Sequence, residues 1–139
     1  MSVTVTPHLN FRGDARAALE FYRSVFGGEL AVITYQDAGA VTDPAAADQV
    51  MWGQVASEAG FRVMAYDVPA ATDWEPGVIP FFASVRGADA AEISRYWGRL
   101  AEGATVVAPL APSAWAPLYG MLTDRFGVTW VLDVEASWS

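Results

Sequence analysis

The feature that most constrains the fold of this chain is an order of elements that occurs twice. Apolar residues at helical spacing predict one helix from about Ala15 to Phe26 and a second helix that ends at Gly103. The glycines that stop the two helices, Gly28 and Gly103, lie 75 residues apart, and the hairpin glycines Gly60 and Gly127 lie 67 apart. Each predicted helix follows one strand and precedes three more. The repeat therefore predicts an α+β fold of two βαβββ modules.

The two modules are expected to form one curved mixed sheet around a cavity, with the helices outside. A single module has too few strands to bury both its helix and the far face of its sheet. We therefore predict one domain over residues 1–139, with repeats at about 3–68 and 78–135 and a linker at about 69–77. The linker contains two prolines and a polar run at residues 72–75.

The last hairpin, residues 118–134, shows the strand pattern most plainly. Two alternating apolar runs flank a reversal in which Gly127 can adopt the positive φ that a tight turn requires. Alternation places Trp130 on a core face, and Val131 and Asp133 on the opposite face, which mixes sizes and polarities as a pocket wall can. The other predicted strands are residues 3–11, 30–36, 49–57, 61–67, 78–85 and 104–107, and the predicted loops are residues 37–48 and 108–117.

Each predicted helix begins after an aspartate. Asp14 and Asp89 stand where a helix N-cap is expected, and aspartate is among the residues most favoured there. Glu92 follows Asp89 by three residues, a spacing that resembles a capping box. Each helix is thus predicted to be capped by the aspartate that directly precedes it.

Composition excludes several classes of function. The net charge of −8 disfavours nucleic acid and anionic membrane surfaces as partners, because both require a concentrated basic surface. With no cysteine and no apolar run long enough for a membrane span, the expected location is cytoplasmic. Glycine-rich phosphate loops and zinc-protease motifs are absent, and a single histidine excludes mechanisms that need several.

A whole-chain family resemblance adds to this pattern. It is carried by residues 6–13, 17–22 and 25–30 near the start, and by Trp115 and residues 119–120 and 123–130 near the end. Together with the paired βαβββ order, these stretches resemble the PhnB-like branch of the vicinal-oxygen-chelate superfamily, which includes glyoxalase I, bleomycin-resistance proteins and extradiol dioxygenases. The resemblance implies the fold derived above and a homodimer.

The resemblance also implies four metal-ligand positions on the concave sheet face, one on the first and one on the last strand of each half. The first-strand positions fall on His8 and on Pro80 or Phe82. The last-strand positions, four residues after each hairpin glycine, fall on Met64 and Val131. His8 is the only metal ligand type among them, and one imidazole does not hold a divalent ion alone. We therefore expect no metal and no other cofactor, with a divalent metal as the alternative.

Two further polar positions of PhnB-like proteins are replaced. A histidine common in the third strand is Trp52 here, and a histidine that commonly follows the tryptophan at 115 is Pro117 here. The implied cavity is apolar and aromatic. The predicted pocket residues are His8, Trp52, Met64, Phe82, Trp115, Tyr119 and Val131.

These residues also have ordinary structural interpretations. His8 could act as a base or lone ligand, or simply make one hydrogen bond at a strand end. Trp52, Trp115 and Tyr119 could stack on a flat ligand, or pack in the core or a dimer interface. Histidines and aromatic residues occur in proteins with and without a ligand, so the sequence does not decide between the functional and the structural role of these residues.

Three function hypotheses follow. The leading one is metal-independent binding of a small apolar or aromatic molecule, in the manner of the sequestering resistance proteins of this superfamily. The alternative is a metal-dependent isomerase, lyase or dioxygenase that uses non-standard ligands such as Asp133, Gln54 or Glu58. The third is a partner-binding protein whose cavity is filled by side chains.

Overall fold

A computed structural model of the chain describes residues 4–79 and 81–135. The chain divides into two compact units, Met1–Pro76 and Gly77–Ser139. Each unit consists of one strand, one helix and three further strands, as the sequence repeat predicts. The α+β class and the βαβββ order of both modules are thereby confirmed. The single-domain assignment and the limits of its linker stay predictions.

The first unit is a four-stranded mixed sheet with one helix. Its strand order is β1-β4-β3-β2, with β1 parallel to β4 and the other pairs antiparallel. The elements are β1 (His8–Phe11), α1 (Ala15–Phe26), β2 (Glu29–Thr34), a single 3₁₀ turn (Pro44–Ala46), β3 (Val50–Ala56) and β4 (Arg62–Asp67).

Helix α1 covers one face of this sheet. Its apolar stripe, which includes Leu19 and Tyr22, is fully buried, and Val55 and Val63 are buried beneath it. A Cβ at Gly53 would collide with Leu19 Cδ1, so the lack of a side chain at Gly53 lets the helix approach the strand closely. The core of this unit therefore lies between α1 and one side of the sheet.

The start of α1 is capped by a residue from the far end of the unit. Asp67, which is 1% exposed, accepts hydrogen bonds at Oδ1 from the backbone N–H of Gly13 (2.6 Å) and Ala15 (3.1 Å). Its Oδ2 accepts a third bond from Val50 N–H at 2.9 Å. Asp14 occupies the N-cap position but makes no side-chain capping bond. The prediction that Asp14 caps the helix is therefore wrong, because the buried carboxylate of Asp67 already satisfies these donors.

The second unit repeats the arrangement. Its strand order is β5-β8-β7-β6, with β5 parallel to β8 and the remaining pairs antiparallel. The elements are β5 (Ala83–Gly87), α2 (Ala90–Leu100), β6 (Thr105–Ala111), β7 (Leu118–Thr123) and β8 (Thr129–Val134). In the described part of the chain, neither helix has the length and apolar character that crossing a membrane would require.

The hairpin of β7 and β8 folds as its alternation predicts. Trp130 and Leu132 are buried on the side of α2, while Val131 and Asp133 lie on the opposite side of the strand. The turn is held by Asp124, whose Oδ2 accepts a hydrogen bond of 2.8 Å from Trp130 Nε1. Gly127 has a φ of 89°, as the turn requires.

At the start of α2 the structure confirms one prediction and corrects another. Asp89 Oδ1 accepts a bond of 3.0 Å from Ala91 N–H, so this aspartate is the cap that was expected. The capping box does not form. Glu92 accepts a bond of 2.6 Å from the Tyr96 hydroxyl instead, which points its side chain along the helix and away from the cap.

Three predicted strand limits are wrong. The first strand begins at His8, because Pro7 has no N–H to continue the ladder. The fifth strand begins at Ala83, since Ile79 has a φ of 49°, which no extended strand accommodates, and Pro80 lies outside the described residues. The predicted loop at 108–117 begins as strand β6, which tolerates its proline because the pairing register shifts between Ala108 and Ala111.

We expect Asp67→Ala to lower the free energy of unfolding by about 3–5 kcal/mol, because it leaves three backbone N–H groups, two of them buried, without acceptors. Urea denaturation measures this loss. Asp14→Ala is the matched control and should change stability by less than about 0.5 kcal/mol, since Asp14 makes no capping bond. Equal losses in the two variants would contradict the assignment of the cap to Asp67.

Candidate functional site

In each unit, one sheet face carries no helix, and these two faces hold five of the seven predicted pocket residues. On sheet 1 this helix-free face is formed by His8, Asn10, Ala31, Ile33, Trp52, Gln54, Met64 and Tyr66. On sheet 2 it is formed by Ser84, Arg86, Ala108, Ala111, Tyr119, Met121, Val131 and Asp133. These residues alternate along the strands with the helix-covered core, so their side chains are not needed for packing against α1 or α2.

His8 lies at the edge of the helix-free face of sheet 1. It pairs with Met64 on β4, which pairs in turn with Gln54 on β3. The His8 ring meets Tyr66 edge-on, with 5.4 Å between ring centroids, and Nδ1 lies 3.2 Å from Asn10 Oδ1. Because an amide oxygen only accepts, Nδ1 is the donor in this contact.

The donor set around His8 does not fit a divalent metal ion. Its neighbour Met64 supplies only a thioether, and within residues 4–79 and 81–135 no three His, Cys, Asp or Glu side chains group together as ligands would. In sheet 2, the residue that pairs with Val131 across the parallel strands is Ser84. One imidazole with neutral, weakly binding neighbours is insufficient for a metal centre.

The pairing of Ser84 with Val131 corrects the position predicted for the second half. His8 pairs with Met64 four residues after Gly60, and Ser84 pairs with Val131 four residues after Gly127. Ser84 therefore corresponds to His8, whereas Pro80 or Phe82 was predicted there. Phe82 lies before β5 and is 47% exposed. The error arises because the first strands of the two modules are offset differently from their helices.

Arg86 and Asp133 form an ion pair on the helix-free face of sheet 2. Arg86 Nε donates to Asp133 Oδ1 at 3.2 Å, and Nη2 donates to Oδ2 at 2.9 Å. The Asp133 side chain is 6% exposed and that of Arg86 is 55% exposed. The hydrogen bond to Asp133 raises the pKa of the Arg86 guanidinium above its already high ordinary value. The pair thus presents a permanent, oriented cation at one edge of the sheet.

Sequence reasoning missed Arg86 because the predicted strand ended at residue 85, whereas β5 continues to Gly87. The available signal was the repeat itself. Once the last strand of each module pairs in parallel with the first, Asp133 must lie on the strand next to that of Arg86, and the register that places the two side by side is set by the structure.

The predicted pocket residues fall into two groups, one in each unit. His8, Trp52 and Met64 lie on the helix-free face of sheet 1, where Trp52 is half-buried. In the second unit, Tyr119 and Val131 lie on the corresponding face, and the Trp115 ring meets Tyr119 edge-on at 5.0 Å between centroids. Their roles in binding stay predictions.

A separate small cavity lies beside the loop predicted at residues 37–48. Its volume is about 240 Å³, and its walls include Tyr35, Asp43, Gln49 and Pro69. The Tyr35 hydroxyl donates to the backbone oxygen of Asp67 at 2.6 Å, and partial burial raises the pKa of Tyr35. Ligand pockets usually measure about 300–1,000 Å³, so this cavity is small for an organic ligand.

The arrangement of the repeats agrees with a known family. The sequence model of the Glyoxalase/Bleomycin resistance protein/Dioxygenase superfamily matches residues 7–132. The chain therefore belongs to this superfamily. No curated protein sequence matches the chain.

Solved structures show the same fold. The protein PA1353 from Pseudomonas aeruginosa is 35% identical, with a TM-score of 0.82 over 96% of this chain and 98% of its own. A PhnB protein from Bacillus cereus, described as a putative 3-demethylubiquinone-9 3-methyltransferase, is 23% identical, with a TM-score of 0.70 over 95% and 99%. A glyoxylase/bleomycin resistance protein/dioxygenase domain from Frankia is 13% identical, with a TM-score of 0.64 over 100% and 96%. At these low sequence identities, the last two similarities show only that the fold is shared.

We expect Arg86→Met to lower the melting temperature by several degrees, because it leaves the buried Asp133 carboxylate without its partner. Thermal unfolding followed by circular dichroism measures the shift. Arg16→Met removes an exposed arginine from helix α1 and serves as the control, with a shift near zero expected. Equal shifts in both variants would show that the ion pair contributes nothing to stability.

Proposed function

We propose that this protein binds a small aromatic or apolar molecule, without a metal ion and without converting it chemically. The observation that carries the proposal is the composition of the helix-free faces. They hold aromatic side chains, among them Trp52, Tyr66 and Tyr119, beside small or apolar ones such as Ala111 and Val131. Organic ligands bind mostly to apolar and aromatic walls with a few placed polar groups.

The alternative, metal-dependent chemistry, has less support from the donor atoms. The candidate non-standard ligand Asp133 already accepts two bonds from Arg86. Gln54 is separated from His8 by Met64 in the row of paired strands, and Glu58 lies in the exposed turn between β3 and β4. None of these places a carboxylate beside the imidazole, which a Lewis-acid site would need.

Two features of the proposal rest on the sequence alone. Homodimer formation follows from the family resemblance, and cytoplasmic location follows from cysteine content and the lack of apolar runs. Both stay predictions. Light scattering of the purified protein measures the first, and a single monomeric mass at micromolar concentration would contradict it.

Metal dependence can be measured directly. We expect protein purified without chelator to contain far less than one equivalent of transition metal, because His8 lacks partner ligands. Thermal-shift titrations with Ni, Zn, Mn, Fe and Mg should be flat. A saturable rise in melting temperature of several degrees that His8→Ala abolishes would instead support a metal site, and with it the enzyme alternative.

Ligand binding can be tested through the tryptophans. We expect an aromatic ligand found by screening to quench tryptophan fluorescence. Its binding should weaken by about tenfold in Trp52→Leu where it stacks on sheet 1, or in Trp115→Leu where it stacks beside Tyr119 on sheet 2, because stacking is lost. Trp74→Leu is the matched control, because Trp74 lies outside both helix-free faces. Its ring centroid is 5.6 Å from the guanidinium carbon of Arg12. An equal effect of all three variants would indicate general destabilisation and contradict the proposed site.

A further inference from the structure

We propose that the preferred ligand is an aromatic carboxylate, with its carboxylate on Arg86 and its ring against Tyr119 and Trp115. This inference rests on the proposed function and specifies the chemical class of the ligand. Its basis is the juxtaposition of an oriented cation and an exposed aromatic wall on the helix-free face of sheet 2.

The two parts of this site lie in one row across the sheet. Arg86 pairs with Asp133, Asp133 with Tyr119, and Tyr119 with Ala111, so the row crosses all four strands. Neighbouring strands are about 4.8 Å apart, which separates the backbones of Arg86 and Tyr119 by about 10 Å. A bicyclic aromatic acid spans about this distance, so one molecule can reach both groups.

The guanidinium retains donors for a second carboxylate. Asp133 uses Nε–H and one hydrogen of Nη2. The other edge of the guanidinium consists of Nη1 and the second hydrogen of Nη2. In the described part of the chain this edge makes no hydrogen bond to another side chain, and the Arg86 side chain is 55% exposed. Two parallel N–H donors match a carboxylate in geometry, and the bond to Asp133 holds them in place before a ligand arrives.

The aromatic end of the row is accessible. Trp115 is 52% exposed although it contacts Tyr119, and Ala111, at the other end of the row, has only a methyl side chain. An exposed indole beside a half-buried phenol provides a surface on which a flat ring can stack. The small side chain of Ala111 leaves this surface uncovered at the edge of the sheet.

Holding the strands together does not by itself require the ion pair. In the first unit, the position of Arg86 is occupied by Asn10 and that of Asp133 by Tyr66, and these strands pair in parallel without an ion pair between them. The ion pair is therefore specific to the helix-free face of sheet 2, and the βαβββ fold does not require it. The net charge of −8 opposes an anion, and Glu135 as well as Asp133 acts on Arg86. The preference for a carboxylate must therefore come from the directional hydrogen bonds of the guanidinium edge that Asp133 does not use.

Calorimetric titration with 2-naphthoate and its neutral isostere 2-naphthamide tests the inference. We expect the native protein to bind the carboxylate at least about tenfold more tightly, since the bonds to Arg86 are charge-assisted. The double variant Arg86→Gln/Asp133→Asn keeps a hydrogen-bonding pair without either charge, and should bind both compounds with the affinity of the amide. Arg16→Gln removes an exposed arginine on helix α1, away from both helix-free faces, and should keep the preference.

The outcomes separate the inference from the function on which it rests. Equal binding of both compounds by the native protein, or a preference that survives in the double variant, overturns the carboxylate assignment and leaves the binding function intact. Absence of binding by either compound to protein with a normal melting transition overturns both. Loss of the preference in the double variant, with its melting temperature within a few degrees of the native value, supports the assignment.

Discussion

The buried carboxylate of Asp67 is the interaction on which the geometry of the first unit depends. It accepts bonds from the end of β1, the start of α1 and the start of β3, so one side chain fixes three chain segments that are distant in sequence. Since Asp67 is itself the last residue of β4, these bonds also hold β1 beside β4. The parallel register of β1 and β4 in turn pairs His8 with Met64 and places His8 at the edge of the helix-free face.

The second unit reaches the same topology with different polar groups. The position that corresponds to Asp67 is Val134, and α2 is capped locally by Asp89. One of the two buried carboxylates of this unit, Asp124, organises the hairpin turn and accepts a hydrogen bond from Trp130 Nε1. The repeat therefore specifies the order and pairing of elements, whereas each module satisfies its buried backbone donors in its own way.

The elements that sequence predicts well here depend on local patterns. Helical spacing and terminal glycines predicted α1 at Ala15–Phe26, and alternation predicted both faces of the last hairpin. The cap of α1 and the Arg86–Asp133 pair were missed because each joins residues that are far apart in the chain. The cap from Asp67 is 54 residues from Gly13, and Arg86 is 47 residues from Asp133. No local pattern encodes such contacts, because they depend on the register of parallel strands.

The two faces of each sheet are under different physical constraints, and this limits what family membership implies. On the helix side, Gly53 and Gly120 lie so close to Leu19 and Trp97 that a Cβ would clash, so packing dictates the residue. On the helix-free side, the corresponding pairs His8–Met64 and Ser84–Val131 have different side chains although both pairs of strands are parallel. The fold tolerates this variation because no packed neighbour restricts that face within its own unit. Function must therefore be read from the helix-free residues, and here these offer aromatic surface and one oriented arginine.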